Sequence, residues 1–119
     1  MSVQRNLPKD IEVLKTEKIK ELTTWHDEQI ELAKSKYSKA EIEAFPEKSK
    51  EAMAYTADNT VPAPYLLGMV GGDATLLPAL VNAIMAKVNA SAYLDGQVDI
   101  LRDAIQVCTT QAELDAITW

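Results

Sequence analysis

Two residues of this 119-residue chain have side chains that could do catalytic chemistry, His26 and Cys108. Histidine is the residue type that normally titrates near neutral pH, so His26 would be the candidate general base or metal ligand. Cys108 would be a nucleophile if His26 approached it in the fold. The neighbouring carboxylates of Asp27 and Glu28 diverge from His26 on a helix, and no ligand pair at HExxH spacing occurs. We therefore interpret His26 as a structural or rim histidine and Cys108 as a buried, inert thiol.

Two further patterns suggest chemistry only superficially. The segment Gly68–Asp73 precedes an expected helix, but it has neither the Gly-Lys-Ser/Thr ending of a P-loop nor a preceding strand, so it predicts a helix stop and turn. Acidic residues between positions 12 and 31 alternate with lysines, which is typical of a solvated helix face rather than a shared acid–base pocket. We predict no catalytic residue, no cofactor, no metal site and no enzyme activity.

Composition and charge narrow the possible partners. The chain has 18 acidic and 12 basic residues, a formal net charge of −6, and no basic run interleaved with aromatic residues, which disfavours nucleic acid. No segment approaches the roughly 20 apolar residues that span a bilayer, and no export signal is recognisable. A single cysteine excludes an intramolecular disulfide. We expect one compact cytoplasmic domain with one modest core and no membrane partner.

Local sequence signals predict helices along most of the chain. Pro8 predicts the start of a charged amphipathic helix that ends near Lys36. Capping boxes at Ser38–Glu41 and Thr110–Glu113 predict two more helix starts. Pro46 predicts a kink or restart within the second helix, because proline cannot donate its amide.

The second half of the chain predicts one long apolar helix over about residues 74–108, with Thr75 as a possible N-cap. Apolar residues recur there at steps of three and four, forming a packed seam with Leu101 at its centre. Residues 76–88 are apolar nearly all round, and the neighbouring segments are short. We therefore predict a protein interface on the side opposite the seam, formed by Val81, Met85 and Val88.

These elements predict an all-α fold, in which long antiparallel helices form a helical hairpin or small bundle with short connecting helices. Two parts are expected. Residues 1–36 form the charged amphipathic N-terminal helix, and residues 37–119 form a helical domain that contains the long apolar helix and a short C-terminal helix.

From Tyr37 onward the order of motifs resembles a group of phage and prophage proteins encoded near tail or tail-fibre genes. The matching segments are Tyr55–Asp58, Pro62–Leu67, the helix Leu76–Ala104 and the ending Thr109–Ile117. The resemblance implies a tail-related helper or chaperone-like factor in the host cytoplasm, or a minor virion subunit of the tail, baseplate or fibre. The implied partner is a tail or tail-fibre protein, or a second copy of the chain. A small helical regulatory binding protein is the rival interpretation, but no basic recognition helix is present.

Overall fold

The computed structural model describes residues 10–119. This range contains no strand, and the predicted all-α class is confirmed. A 3-10 turn at Ala74–Leu76 leads into the longest helix. The five α-helices are α1 (Ile11–Lys34), α2 (Lys39–Ala57), α3 (Pro64–Met69), α4 (Leu77–Gln106) and α5 (Gln111–Asp115). The predicted start of the first helix at Pro8 lies outside the described residues.

Both predicted capping boxes are present. The Ser38 hydroxyl accepts a hydrogen bond from the Glu41 amide at 3.1 Å, and the Glu41 carboxylate accepts one from the Ser38 amide at 3.4 Å. Thr110 and Glu113 form the same reciprocal pair at the start of α5. These contacts satisfy amide groups that have no partner within the helix, which fixes where α2 and α5 begin.

The helix does not restart at Pro46, because α2 continues through this residue from Lys39 to Ala57. The alternative of a kink at Pro46 stays a prediction. Proline removes one backbone hydrogen bond, which would favour a break in an isolated peptide. The adjacent Phe45 packs against the buried residues of the fold. We infer that this packing keeps the segment helical despite the missing bond.

The turn before α4 is also fixed differently from the prediction. Asp73 caps the 3-10 turn that leads into α4, and Thr75, the predicted N-cap of the long helix, lies inside this turn. The Asp73 carboxylate accepts hydrogen bonds from the Thr75 amide at 3.0 Å and the Thr75 hydroxyl at 2.6 Å. These two bonds lower the pKa of Asp73. Gly71 and Gly72 have φ angles of 65° and 83°, a region that glycine adopts without strain. The predicted helix stop at this segment is confirmed.

The described chain divides into two compact units. Unit 1 comprises the described residues up to Glu31 together with Leu94–Trp119, and unit 2 comprises Leu32–Tyr93. The boundaries fall inside α1 and α4 rather than at residue 36. Two separate clusters of buried residues replace the single core that the length and composition suggested.

Unit 1 is an antiparallel helix pair closed by α5. His26 of α1 contacts Asp95 near the start of its α4 segment, whereas Lys18, earlier in α1, donates to the Leu114 carbonyl in α5 at 2.5 Å. Leu22 lies at the centre and is completely buried. The other buried residues of this cluster are Val98, Ile105, Cys108 and Leu114.

Unit 2 packs α2 and α3 against the first part of α4. Its buried cluster consists of Ala52, Ala63, Leu66, Leu77, Val81 and Ile84. Helix α3 has no side-chain cap of its own, since its N-cap residue is Ala63. Glu51 of α2 supplies the missing acceptor: its carboxylate receives the Tyr65 amide at 2.9 Å and the Leu66 amide at 3.2 Å. This buried carboxylate therefore ties the N-terminus of α3 to α2.

The α5 capping box gives a prediction for acid stability. Glu113 accepts hydrogen bonds from the side chains and amides of Thr109 and Thr110, and these bonds lower its pKa. When a carboxyl group has a lower pKa in the folded chain than in the unfolded chain, it stabilises the fold at pH values above its unfolded-state pKa. This stabilisation is lost as the pH falls through the folded-state pKa. We expect Glu113→Gln to lower the urea midpoint of unit 1 at neutral pH, and the difference to shrink below about pH 4. Tryptophan fluorescence during urea titrations at neutral and acidic pH measures this, and a pH-independent difference would contradict it.

Candidate functional site

The structure separates the two residues that could do catalytic chemistry. His26 lies at the edge of unit 1 with its Nε2 atom 3.1 Å from Oδ1 of Asp95. Cys108 is buried, as predicted, and donates its thiol hydrogen to the Ala104 carbonyl at 3.2 Å. Asp95 and Gln106 are about 16 Å apart along α4 at 1.5 Å per residue, and Cys108 lies beyond Gln106. His26 and Cys108 therefore do not form a nucleophile and base pair.

The described residues provide no metal centre, since no group of three or more His, Cys, Asp or Glu side chains among residues 10–119 is placed to hold an ion. Within the same range, none of the helices combines the length and apolar character needed to cross a membrane. The glycine segment forms the turn described above rather than an anion-binding loop.

The predicted interface on α4 needs correction. Val81 is only 3% exposed and belongs to the buried cluster of unit 2. Met85 and Val88 are half-buried and pack against the same cluster. The neighbouring segments were considered too short to cover this side, but α3 and α2 contribute Leu66 and Ala52 to the same cluster. This face of α4 therefore belongs to the chain's own core.

This correction changes the expected behaviour of the double variant Met85→Glu/Val88→Glu. A surface interface would tolerate the two carboxylates, whereas a packed face has to bury part of each charge. We expect the double variant to lose about 2 kcal/mol or more of unfolding free energy. Urea unfolding followed by the tyrosine signal measures the change, since all four tyrosines lie in unit 2. A wild-type midpoint in the double variant would restore the original interface prediction.

An open apolar groove lies on unit 1. It has a volume of about 340 Å³ and is lined by Trp25, Gln97, Ile100, Leu101, Thr118 and Trp119. Helix α1 contributes the first of these residues, α4 the next three, and the segment after α5 the last two. We call this feature the tryptophan groove. It can accommodate a few apolar side chains of another molecule.

Local contacts hold the walls of the tryptophan groove in place. Lys18 lies over the Trp119 ring, with Nζ 5.8 Å from the ring centroid, and donates to the nearby Leu114 carbonyl. Ile100 is 71% exposed and Trp119 is 40% exposed, so apolar surface remains open to solvent. Leu101, predicted at the centre of the seam, is half-buried and lines the groove, while Val98 and Ile105 are the fully buried residues.

A second depression adjoins the tryptophan groove, and Trp25 lines both. Its other lining residues come from α1 and are Glu17, Lys20, Glu21, Thr24 and Glu28. Unit 1 as a whole also has an excess of acidic side chains. Within the described residues, unit 1 has 12 acidic and 4 basic side chains, a net charge of −8, whereas unit 2 has six of each.

No family model, no curated protein and no solved structure matches this chain. The sequence signals also did not identify the groove, because Trp25, Ile100 and Trp119 are far apart in the chain. The tryptophan groove and its acidic border are therefore the surface features on which a functional proposal can be based.

Proposed function

We propose that this chain is a non-enzymatic, phage-type tail-associated protein, an assembly helper that binds a tail or tail-fibre protein in the host cytoplasm. The observation that carries the protein-binding part is the tryptophan groove, which Trp25, Ile100 and Trp119 line together, with Ile100 and Trp119 exposed. Exposed aromatic and aliphatic side chains that line one concave surface are typical of protein interfaces.

The tail-related part of the proposal is supported by the resemblance of four segments to phage and prophage proteins. Three of these segments form structural elements of unit 2 or extend through it: the end of α2, the start of α3 and the long helix α4. The fourth, Thr109–Ile117, contains the α5 capping box, and Leu114 within it is part of the unit 1 core. Of the four segments, Leu76–Ala104 contributes Gln97, Ile100 and Leu101 to the groove, and Thr109–Ile117 directly precedes Thr118 and Trp119, which also line it.

The proposal is tested by deleting the gene from the phage or prophage that encodes it. A helper is expected to be necessary for soluble tail or fibre protein and to be absent from purified particles. Quantitative mass spectrometry of particles and of the soluble lysate measures both properties. A complementing wild-type copy provides the control.

Other outcomes would identify a different role. Constant stoichiometry in purified particles would identify a minor virion subunit. Unchanged amounts of tail and fibre protein after deletion, together with no tail protein co-purifying with the tagged chain, would contradict the proposal.

A further inference from the structure

We propose that the tryptophan groove binds a cationic amphipathic segment of the partner protein. An apolar side chain of that segment would enter the groove, and its lysine or arginine residues would contact the acidic stripe of α1, defined here as Glu17, Glu21 and Glu28. This inference rests on the proposed function and specifies the chemistry of the partner.

The acidic stripe is placed to accept such contacts. Its members recur at steps of four and seven residues and therefore share one face of α1. Trp25 lies four residues after Glu21 and three before Glu28, and it also lines the groove. One bound segment could thus contact the apolar groove and the carboxylates together.

The local charge of α1 favours a positive partner. Glu21 and Glu28 are exposed and form no ion pair with any residue in the range 10–119. Lys20 is the one basic residue that lines the depression. A cationic segment would supply the missing partners of the Glu21 and Glu28 carboxylates.

The same charge distribution disfavours a second copy of the chain as the occupant. Two unit 1 surfaces would each bring a net charge of −8 from their described residues. Unit 2 has a net charge of zero over its described range and therefore offers no net positive charge to the stripe. A partner rich in lysine or arginine next to apolar residues is the chemistry that matches both features of the site.

Tryptophan fluorescence of the full chain provides a direct binding assay, because its two tryptophans are Trp25 and Trp119. The probe is a tryptophan-free peptide of about 14 residues, with leucines every three or four positions and lysines between them. A second peptide has glutamate in place of each lysine, and a third has serine in place of each leucine. We expect the first peptide to bind saturably, and to bind more weakly at high salt. We expect the other two peptides to bind at least tenfold more weakly, which corresponds to about 1.4 kcal/mol or more of binding free energy.

Two variants test the two halves of the site. Ile100→Ser removes an exposed apolar wall, and Glu21→Lys/Glu28→Lys reverses the free charges. Each is expected to weaken binding of the lysine peptide about tenfold or more, and the charge variant should bind the glutamate peptide better than wild type does. The matched control for Ile100→Ser is Val107→Ser, because Val107 is 75% exposed and does not line the groove. The matched control for the charge variant is Asp27→Lys/Asp103→Lys, which makes the same charge change at exposed positions that line neither the groove nor the adjoining depression. Circular dichroism checks that each variant folds.

Equal binding of the lysine and glutamate peptides would overturn the inference, as would undiminished binding by the folded charge variant. A fluorescence change that depends on the concentration of the chain alone would instead identify a second copy as the occupant. A failure of this inference can be distinguished from a failure of the proposed function. If the groove variants still co-purify with the tail or fibre protein and support assembly, the helper role is retained and the assignment of a cationic segment to the groove is wrong.

Discussion

Leu22→Ala is expected to lower the free energy of unfolding of unit 1 by about 2–5 kcal/mol, the range for truncation of a fully buried leucine. Leu22 has no exposed surface and packs in one cluster with Val98, Ile105 and Leu114. Its side chain therefore joins α1, α4 and α5, and its removal leaves a cavity among all three. Tryptophan fluorescence during urea unfolding reports on this unit, since both tryptophans belong to it.

Val13→Ala is the matched control, because it truncates an aliphatic side chain on the same helix and in the same unit at a position that is 48% exposed. We expect a change of less than about 0.5 kcal/mol, since surface substitutions away from special contacts have little effect. A similar loss in both variants would show that helix propensity rather than packing determines the result. No measurable loss in Leu22→Ala would contradict the unit 1 core.

Glu51→Ala is expected to destabilise unit 2 by about 2–3 kcal/mol, because it leaves two amides at the start of α3 without their acceptor in a partly or fully buried position. The charged acceptor also favours the N-terminus of a helix. Helix α3 has only six residues and an alanine as its N-cap, so it has little stability of its own. Urea unfolding followed by the tyrosine signal measures the effect.

Glu47→Ala, one turn earlier in α2 at an exposed position, is the control for Glu51→Ala and should change stability by less than about 0.5 kcal/mol. Glu51→Gln keeps an acceptor oxygen and is expected to retain part of the lost stability. Equal stability of Glu51→Ala and Glu47→Ala would show that the carboxylate does not support α3.

The features that the sequence predicts well are those that depend on neighbouring residues. The Ser38 and Thr110 capping boxes each span four residues, and the glycine turn depends on two adjacent positions, so local chemistry is sufficient. The continuous helix through Pro46 could not be predicted in this way, because the contact of Phe45 with the unit 2 core is a tertiary property. The cap of α3 by Glu51 joins residues 14 positions apart, and no local motif indicates it.

The candidate site also depends on tertiary contacts that local sequence patterns do not predict. The pattern on α4 predicts contacts nearly all round residues 76–88, but the structure buries only one face, with Leu77, Val81 and Ile84, and leaves most of the other positions exposed. The pattern also could not identify α2 and α3 as the elements that cover this face. Val81 was therefore predicted as an interface residue although the chain buries it. The tryptophan groove combines α1, α4 and the segment after α5, which no local pattern brings together. The acidic residues of α1 border the groove because Trp25 lines both the groove and the adjoining depression.

The central claim is that the chain binds its protein partner through the tryptophan groove of unit 1. The most direct measurement is a nuclear magnetic resonance titration of the isotope-labelled full chain with the tail or tail-fibre protein proposed as its partner. The two indole N–H signals, one from Trp25 and one from Trp119, report on the groove itself. We predict that both signals shift or broaden with the partner and that Ile100→Ser suppresses the change, whereas Val107→Ser does not. Binding that perturbs residues of unit 2 and leaves both indole signals unchanged would contradict the claim.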